Sequence, residues 1–200
     1  MTRLTSPRPA VFLDRDGTIN DDVGYLTDAA RVHIYPWAPD AIRLLRRAGY
    51  AIIVVTNQGG VARGLMSTAF VEETHARMAS QLDRAGAHVD DWFYCPHHPA
   101  SVVPELPVSC DCRKPGTAMP RAAAARHGLD LPRSWVIGDH WRDVQMGHAV
   151  GGRAILLRTG HGRDQEKARP EGQAVEAICD NLMAAVGYVL RTDAGSGMVR

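Results

Sequence analysis

The chain has 200 residues, with 23 Lys and Arg against 22 Asp and Glu, a net charge of +1 and four cysteines. One domain of that length buries roughly 70% of its unfolded surface, ample for a core. The even charge gives no electrostatic reason to expect nucleic acid or an anionic membrane as a partner, and no apolar run approaches the ~20 residues that span a bilayer. Residues 1–9 lack the apolar core of a signal peptide. The expected setting is the cytoplasm, where thiols stay reduced, and the expected state is a monomer.

Apolar runs that read as strands alternate with periodic segments that read as helices. The first strand is Val11–Asp14. A helix follows over Pro39–Ala48, stopped by Gly49, then a strand over Ala51–Thr56. Ser67 can cap a helix over Ser67–Ala85, with Glu72 and Glu73 in its early turns. A third strand covers Asp91–Tyr94, and a long irregular insert runs from Cys95 to Pro115. Thr117 can cap a helix over Thr117–His127, which Gly128 ends. The rest is a strand at Trp135–Gly138, a helix at Arg142–Val150, a strand at Ala154–Leu157 and a last helix over Ala174–Leu190. Repeated strand–helix–strand units predict an α/β fold: a parallel sheet with helices on both faces. Residues 1–191 are expected to form one domain and 192–200 a disordered polar tail.

Chemistry-bearing residues gather at the strand exits. Val11-Phe12-Leu13 leads into Asp14-Arg15-Asp16-Gly17-Thr18. Positions two apart in extended backbone point the same way, so Asp14 and Asp16 project together from the carboxyl end of a buried strand, where open α/β sheets place ligands. Thr56-Asn57-Gln58-Gly59 leaves the second strand, Arg113-Lys114 follows the insert, and Asp139 leaves the fourth, with Asp143 one helical turn on. These residue types suit phosphoryl transfer from a monoester. A divalent cation must offset the charge of the phosphate dianion, and Asp14 and Asp139 are hard oxygen ligands suited to Mg²⁺. Asp14 can attack phosphorus. Asp16 can protonate the leaving alkoxide and later activate water, and Thr56 and Lys114 can bind the phosphoryl oxygens. Asp-x-Asp alone is commonly a turn, and Gly-Asp alone a helix cap; the four pieces in one order on one sheet edge are what discriminates.

The set Asp14-x-Asp16-Gly-Thr, Thr56-Asn57, Lys114 and Gly138-Asp139-x-x-x-Asp143 resembles the haloacid dehalogenase superfamily of phosphohydrolases over residues 10–160. The resemblance implies a Rossmann-like fold, Mg²⁺ dependence, Asp14 as nucleophile and Asp16 as general acid/base. It also implies Mg²⁺ ligation by Asp14, Asp139 and the backbone carbonyl of Asp16. No long cap domain fits between the motifs, so a minimal cap and an open site are expected.

The insert carries Cys95-Pro96-His97-His98 and Cys110-Asp111-Cys112. Three thiolates and an imidazole make a closed tetrahedral Zn²⁺ site; His98 can replace His97, but the Cys-x-His spacing favours His97. The metal would fold a loop that has no core of its own and fix Arg113 and Lys114 beside the phosphate. Cys179 reads as a core thiol on an apolar helix. His33, His75, His88, His127, His148 and His161 show no partner spacing and read as surface or packing residues. The insert, with Asn20–Tyr25 and Thr56–Gly64, closely resembles the heptose 1,7-bisphosphate 7-phosphatase family. That resemblance assigns substrate binding to Asp22, Val23, Gly24, Tyr25, Thr56, Asn57, Gln58, Gly59, Arg113 and His140, with a small phosphorylated sugar as the partner. His140 stands where the family often has Lys, and Gly116-Thr117-Ala118 replaces a His-Pro-Gly-like stretch. Histidinol-phosphate phosphatases, with a generally shorter zinc loop, and non-catalytic phospho-acceptor receivers are the alternatives.

Overall fold

A computed structural model, describing residues 7–26, 28–106 and 109–195, places the apolar runs in one six-stranded parallel sheet. The strands are β1 (Ala10–Leu13), β2 (Ala51–Asn57), β3 (Asp91–Cys95), β4 (Trp135–Gly138), β5 (Arg153–Leu157) and β6 (Ala177–Cys179). The helices are α1 (Ala38–Arg47), α2 (Thr68–Arg84), α3 (Ala118–His127), α4 (Trp141–Ala149), α5 (Gly162–Lys167) and α6 (Leu182–Gly195).

The two-residue period of β1 sorts its side chains between two cores. Val11 and Leu13 join Ile52, Val54 and Ile137 under α1, α2 and α6. Ala10 and Phe12 join Ile53, Val55 and Val136 under α3 and α4. All four β1 residues have no exposed surface, which accounts for the unbroken apolar run.

Strand order is β3-β2-β1-β4-β5-β6, so the winding reverses between β1 and β4. Leu13 sits level with Val54 on one side and Ile137 on the other. Asp14 therefore leaves the sheet at the switch point where such folds open a ligand crevice.

Three expectations need correction. The stretch read as one helix over Ala174–Leu190 divides into β6, which pairs with β5 from Ile155↔Ala177 to Leu157↔Cys179, and α6. Asn181 separates them, accepting a hydrogen bond from the Ala184 amide at 3.0 Å. Cys179 thus ends an edge strand rather than riding on a helix. The helix also continues to Gly195, past the point where a tail was expected to begin; Asp193 is buried, and 196–200 lie outside the described residues. Thr117 precedes α3, but its hydroxyl does not cap it and instead accepts from Arg121 Nε at 3.0 Å. Ser67 does cap α2, accepting from the Phe70 amide at 3.1 Å. No helix among the described residues is long and apolar enough to cross a membrane.

Candidate active site

Asp14, Asp139 and Asp143 bring carboxylate oxygens within 4.8 Å of one another, all three buried. Lys114 is the cation between them: its Nζ lies 2.8 Å from Asp14, 2.7 Å from Asp143 and 2.9 Å from the Val55 carbonyl. Burial, with the neighbouring Asp14 and Asp143 carboxylates, pushes Asp139 up to about 8. Burial raises Asp14 as well. One ammonium against three buried carboxylates leaves negative charge uncompensated, and desolvated charge is costly unless paired. Clustered hard oxygens that repel one another in this way fit Mg²⁺.

Local backbone makes the cluster possible. Gly17 has φ +75°, and a Cβ there or at Gly160 would collide with Asp139 Oδ2; a Cβ on Gly138 would collide with Asp143. Asp139 also accepts from the His161 amide at 2.8 Å. Asp143 accepts from the His140 amide at 3.1 Å, closing a capping box at the start of α4.

Asp16 does not join the cluster. Its carboxylate takes Arg15 Nη2 at 2.7 Å, Asn20 Nδ2 at 3.0 Å and Gln58 Nε2 at 2.9 Å. Burial alone would raise this carboxyl, but the Arg15 charge and these donors hold it below the usual range. The geometry favours its ionised form. Arg15 is itself backed by His75, 3.3 Å from its Nη1 and stacked on Trp92. Burial, then Arg15, pushes His75 down to about 3, so it is a neutral partner at pH 7.

Thr56 ends β2, where its hydroxyl accepts from Gln58 Nε2 at 2.9 Å. Asn57 turns toward the chain rather than outward: its Oδ1 accepts from the Lys114 amide at 2.9 Å and its Nδ2 donates to the Lys114 carbonyl at 3.3 Å. Asn57 thereby clamps the segment that carries the central cation.

The insert gathers Cys95, His97, Cys110 and Cys112. The Cys112 sulfur lies 3.2 Å from that of Cys95 and 3.3 Å from that of Cys110, and His97 Nδ1 lies 3.2 Å from Cys112 and 3.5 Å from Cys95. No disulfide links them. A tetrahedron with metal–sulfur bonds of about 2.3 Å has edges of roughly 3.8 Å, close to this spacing. The four donors can therefore hold one tetrahedral metal. His98 turns away; its Nδ1 accepts from the Ala100 amide at 3.0 Å.

Beside the acids lies a cleft of about 280 Å³ walled by Asp14, Asp16, Asp22, Gly24, Tyr25, Thr56, Asn57, Gln58, Gly59, Gly60, Met66, His98, Arg113, Arg142 and His161. All but two of the expected substrate residues line it. Val23 is exposed and off the wall. His140 is the N-cap of α4, its Nδ1 accepting from the Arg142 amide at 3.5 Å, and burial pushes its imidazole down to about 4. It is neutral at pH 7 and off the wall. Sequence reasoning missed Gly60, Met66, Arg142 and His161, and weighed His98 only as a zinc ligand. His161 pairs with Asp22 at 3.0 Å; Arg142 sits between two motif residues, the one signal that was available.

A family model described as HAD-hydrolase-like matches residues 111–185. The D-glycero-beta-D-manno-heptose-1,7-bisphosphate 7-phosphatase of Rhodopseudomonas palustris is 42% identical over 151 residues, 76% of this chain and 84% of that one. The Escherichia coli K12 protein of the same name is 40% identical over 153 residues, covering 76% and 80%. The crystal structure of D,D-heptose 1,7-bisphosphate phosphatase from B. bronchiseptica, complexed with magnesium and phosphate, superposes with a TM-score of 0.79 at 33% identity, covering 92% of this chain and 99% of that one.

Proposed function

The chain belongs to the D-glycero-β-D-manno-heptose-1,7-bisphosphate 7-phosphatase family of haloacid dehalogenase-like phosphatases, and from that membership we propose that it removes the C7 phosphate of that β-anomeric bisphosphate. Asp14 attacks phosphorus in line. The bond from phosphorus to the C7 oxygen breaks as the aspartyl-phosphate forms, and the oxygen leaves with a proton from Asp16. Asp16 then takes a proton from water, which attacks phosphorus and frees Asp14 and inorganic phosphate. The ionised Asp16 of this structure suits the second step; the first requires it to leave Arg15 and gain a proton. Asp14, Asp139 and the Asp16 carbonyl would hold Mg²⁺, with Asp143 beside them. When bound, Mg²⁺ neutralises the phosphate and lets two anions meet. Thr56 and Lys114 face the phosphoryl oxygens, while Asp22, Gly24, Tyr25, Gln58 and Gly59 face the sugar, and Arg113 the second phosphate.

The observation that carries this reading is the run Cys112-Arg113-Lys114. It ties the thiol cluster, the cleft wall and the acid cluster together within three residues. The thiol cluster would hold Zn²⁺ as a structural ion, which requires reduced cysteines and supports a cytoplasmic site of action.

The test is phosphate release from a panel: both anomers of the heptose bisphosphate, fructose 1,6-bisphosphate and histidinol phosphate. A highest kcat/KM for the β-anomer is expected, abolished in Asp14→Asn. Preference for histidinol phosphate would overturn the substrate, and full turnover by D14N would overturn the nucleophile.

A further inference from the structure

Four cationic side chains surround the site, and three have partners. Lys114 is held by Asp14, Asp143 and the Val55 carbonyl. Arg15 is held by Asp16 and His75. Arg113 Nη1 donates to the His97 carbonyl at 2.9 Å. Arg142 is different: its guanidinium makes no hydrogen bond or ion pair with any described residue, and its Nε is buried without a partner. It nevertheless lines the same cleft as Asp14 and Asp16, and its charge reaches both Asp14 and Lys114.

A buried donor left unpaired is costly, and here it belongs to a cation on the wall of the cleft that a ligand would fill. Its position narrows the ligand to an anion. Arg142 is the second residue of α4, so its backbone amide lies among the free N–H groups of a helix start. That amide is satisfied by His140 Nδ1, which leaves the side chain as the donor that faces the cleft. The fork of a guanidinium matches two oxygens of a phosphate, which an ammonium cannot do.

We propose that Arg142 is a phosphate-binding residue of this enzyme, holding non-bridging oxygens of the phosphoryl group that passes through Asp14. The neighbouring His140 is committed to capping α4, so the positive charge at this end of the site comes from residue 142. Arg113, on the cleft wall beside Gly59 and His98, is left to the remainder of the substrate. The proposal rests on the phosphatase reading but not on which sugar is bound.

The experiment compares wild-type enzyme with Arg142→Gln and Arg142→Lys, using p-nitrophenyl phosphate as substrate and inorganic phosphate as competitive inhibitor. The expected result for R142Q is a roughly 10- to 100-fold rise in the inhibition constant of phosphate, and a comparable fall in kcat/KM. R142K should recover part of both, since it restores charge without the fork. The same loss should appear without turnover, as a smaller phosphate-induced rise in Tm in the presence of Mg²⁺. R142Q changes one side chain in the first helical turn; should it fail to fold, R142K with its weaker phosphate binding carries the same test. Phosphate binding and kcat/KM within twofold of wild type in folded R142Q would overturn the proposal. Failure of the wild-type enzyme on heptose bisphosphate would overturn the substrate and leave the Arg142 result standing.

Discussion

Lys114 Nζ lies 2.8 Å from Asp14 Oδ1, with both side chains buried. The pair joins the exit of β1 to the end of the cysteine insert, and Asn57 grips the Lys114 backbone on both sides of the peptide. Removing the ammonium in Lys114→Met would leave Asp14 and Asp143 without their common partner. Stripping one member from a buried ion pair costs about 3–5 kcal/mol, and losing a preorganised donor at a transferring group costs about 10²–10³ in kcat. Urea unfolding of K114M should show the first and steady-state kinetics the second. Lys114→Arg should not rescue kcat, because three acceptors grouped around one nitrogen suit a compact ammonium and not a larger planar fork.

Asp139 makes the site pH-dependent. Burial and its acidic neighbours set its pKa at about 8, against an ordinary 3.8. The folded state then holds the proton more tightly than the unfolded state. That contribution to stability is complete below about pH 4 and is lost as pH rises through about 8. Mg²⁺ requires the ionised carboxylate, so its stabilising effect should grow over the same range. Thermal melts at pH 5.5, 7 and 8.5, with Mg²⁺ and with chelator, should show a gap in Tm that widens with pH. Calorimetry of Mg²⁺ binding at pH 7 should show proton release as heats that vary with the ionisation enthalpy of the buffer. Buffer-independent heats would contradict the raised pKa.

The thiol cluster is expected to bind about one zinc per chain. Cys112→Ser should lose it and lower kcat/KM by roughly 10- to 100-fold, because the loop that sets Arg113 and Lys114 is released. His97→Ala should lose zinc and His98→Ala should keep it, since only His97 Nδ1 lies among the sulfurs. Elemental analysis with kinetics decides the matter: a zinc-free C112S at full activity would show that the two sites are uncoupled.

Local signals carried most of the fold and of the site. The apolar runs located five strands because strands buried on both faces leave no polar positions, and residues at strand exits in an α/β sheet converge without further information. What failed was non-local. β6 is three residues long and exists through pairing with β5, which composition cannot reveal. Asp14 and Asp16 were expected to project together, yet Asp16 turns to Arg15, Asn20 and Gln58, because its backbone has left the strand and Gly17 bends the chain. His75 supports Arg15 from α2, with no mark in the sequence to show it. Arg142 and His161 reach the cleft from the first turn of α4 and from the loop after β5, directions set by tertiary packing.

The end of α6 gives the last prediction. Asp193, read as part of a polar tail, is buried at the amino end of the sheet, where its carboxylate accepts from Tyr50 Oη, from Trp135 Nε1 at 3.1 Å and from Arg153 Nη1 at 2.5 Å. Burial would raise its carboxyl, but Arg153 and the two hydrogen-bond donors hold it below the usual range. Its stabilising contribution is therefore present above pH 4 and lost as pH falls through the depressed pKa. Asp193→Ala leaves Tyr50 and Trp135 with unpaired buried donors and should cost about 2–4 kcal/mol. Arg153 is partly exposed, which keeps the loss below that of a fully buried pair. Asp14 and Asp139 leave the opposite end of the same sheet, so kcat of the folded fraction should stay within twofold of wild type. Urea unfolding at pH 7 and pH 3.5 checks the sign, since the difference between D193A and wild type should shrink at the lower pH. An undiminished difference would assign the loss to packing of α6 on β4 instead of to the charge.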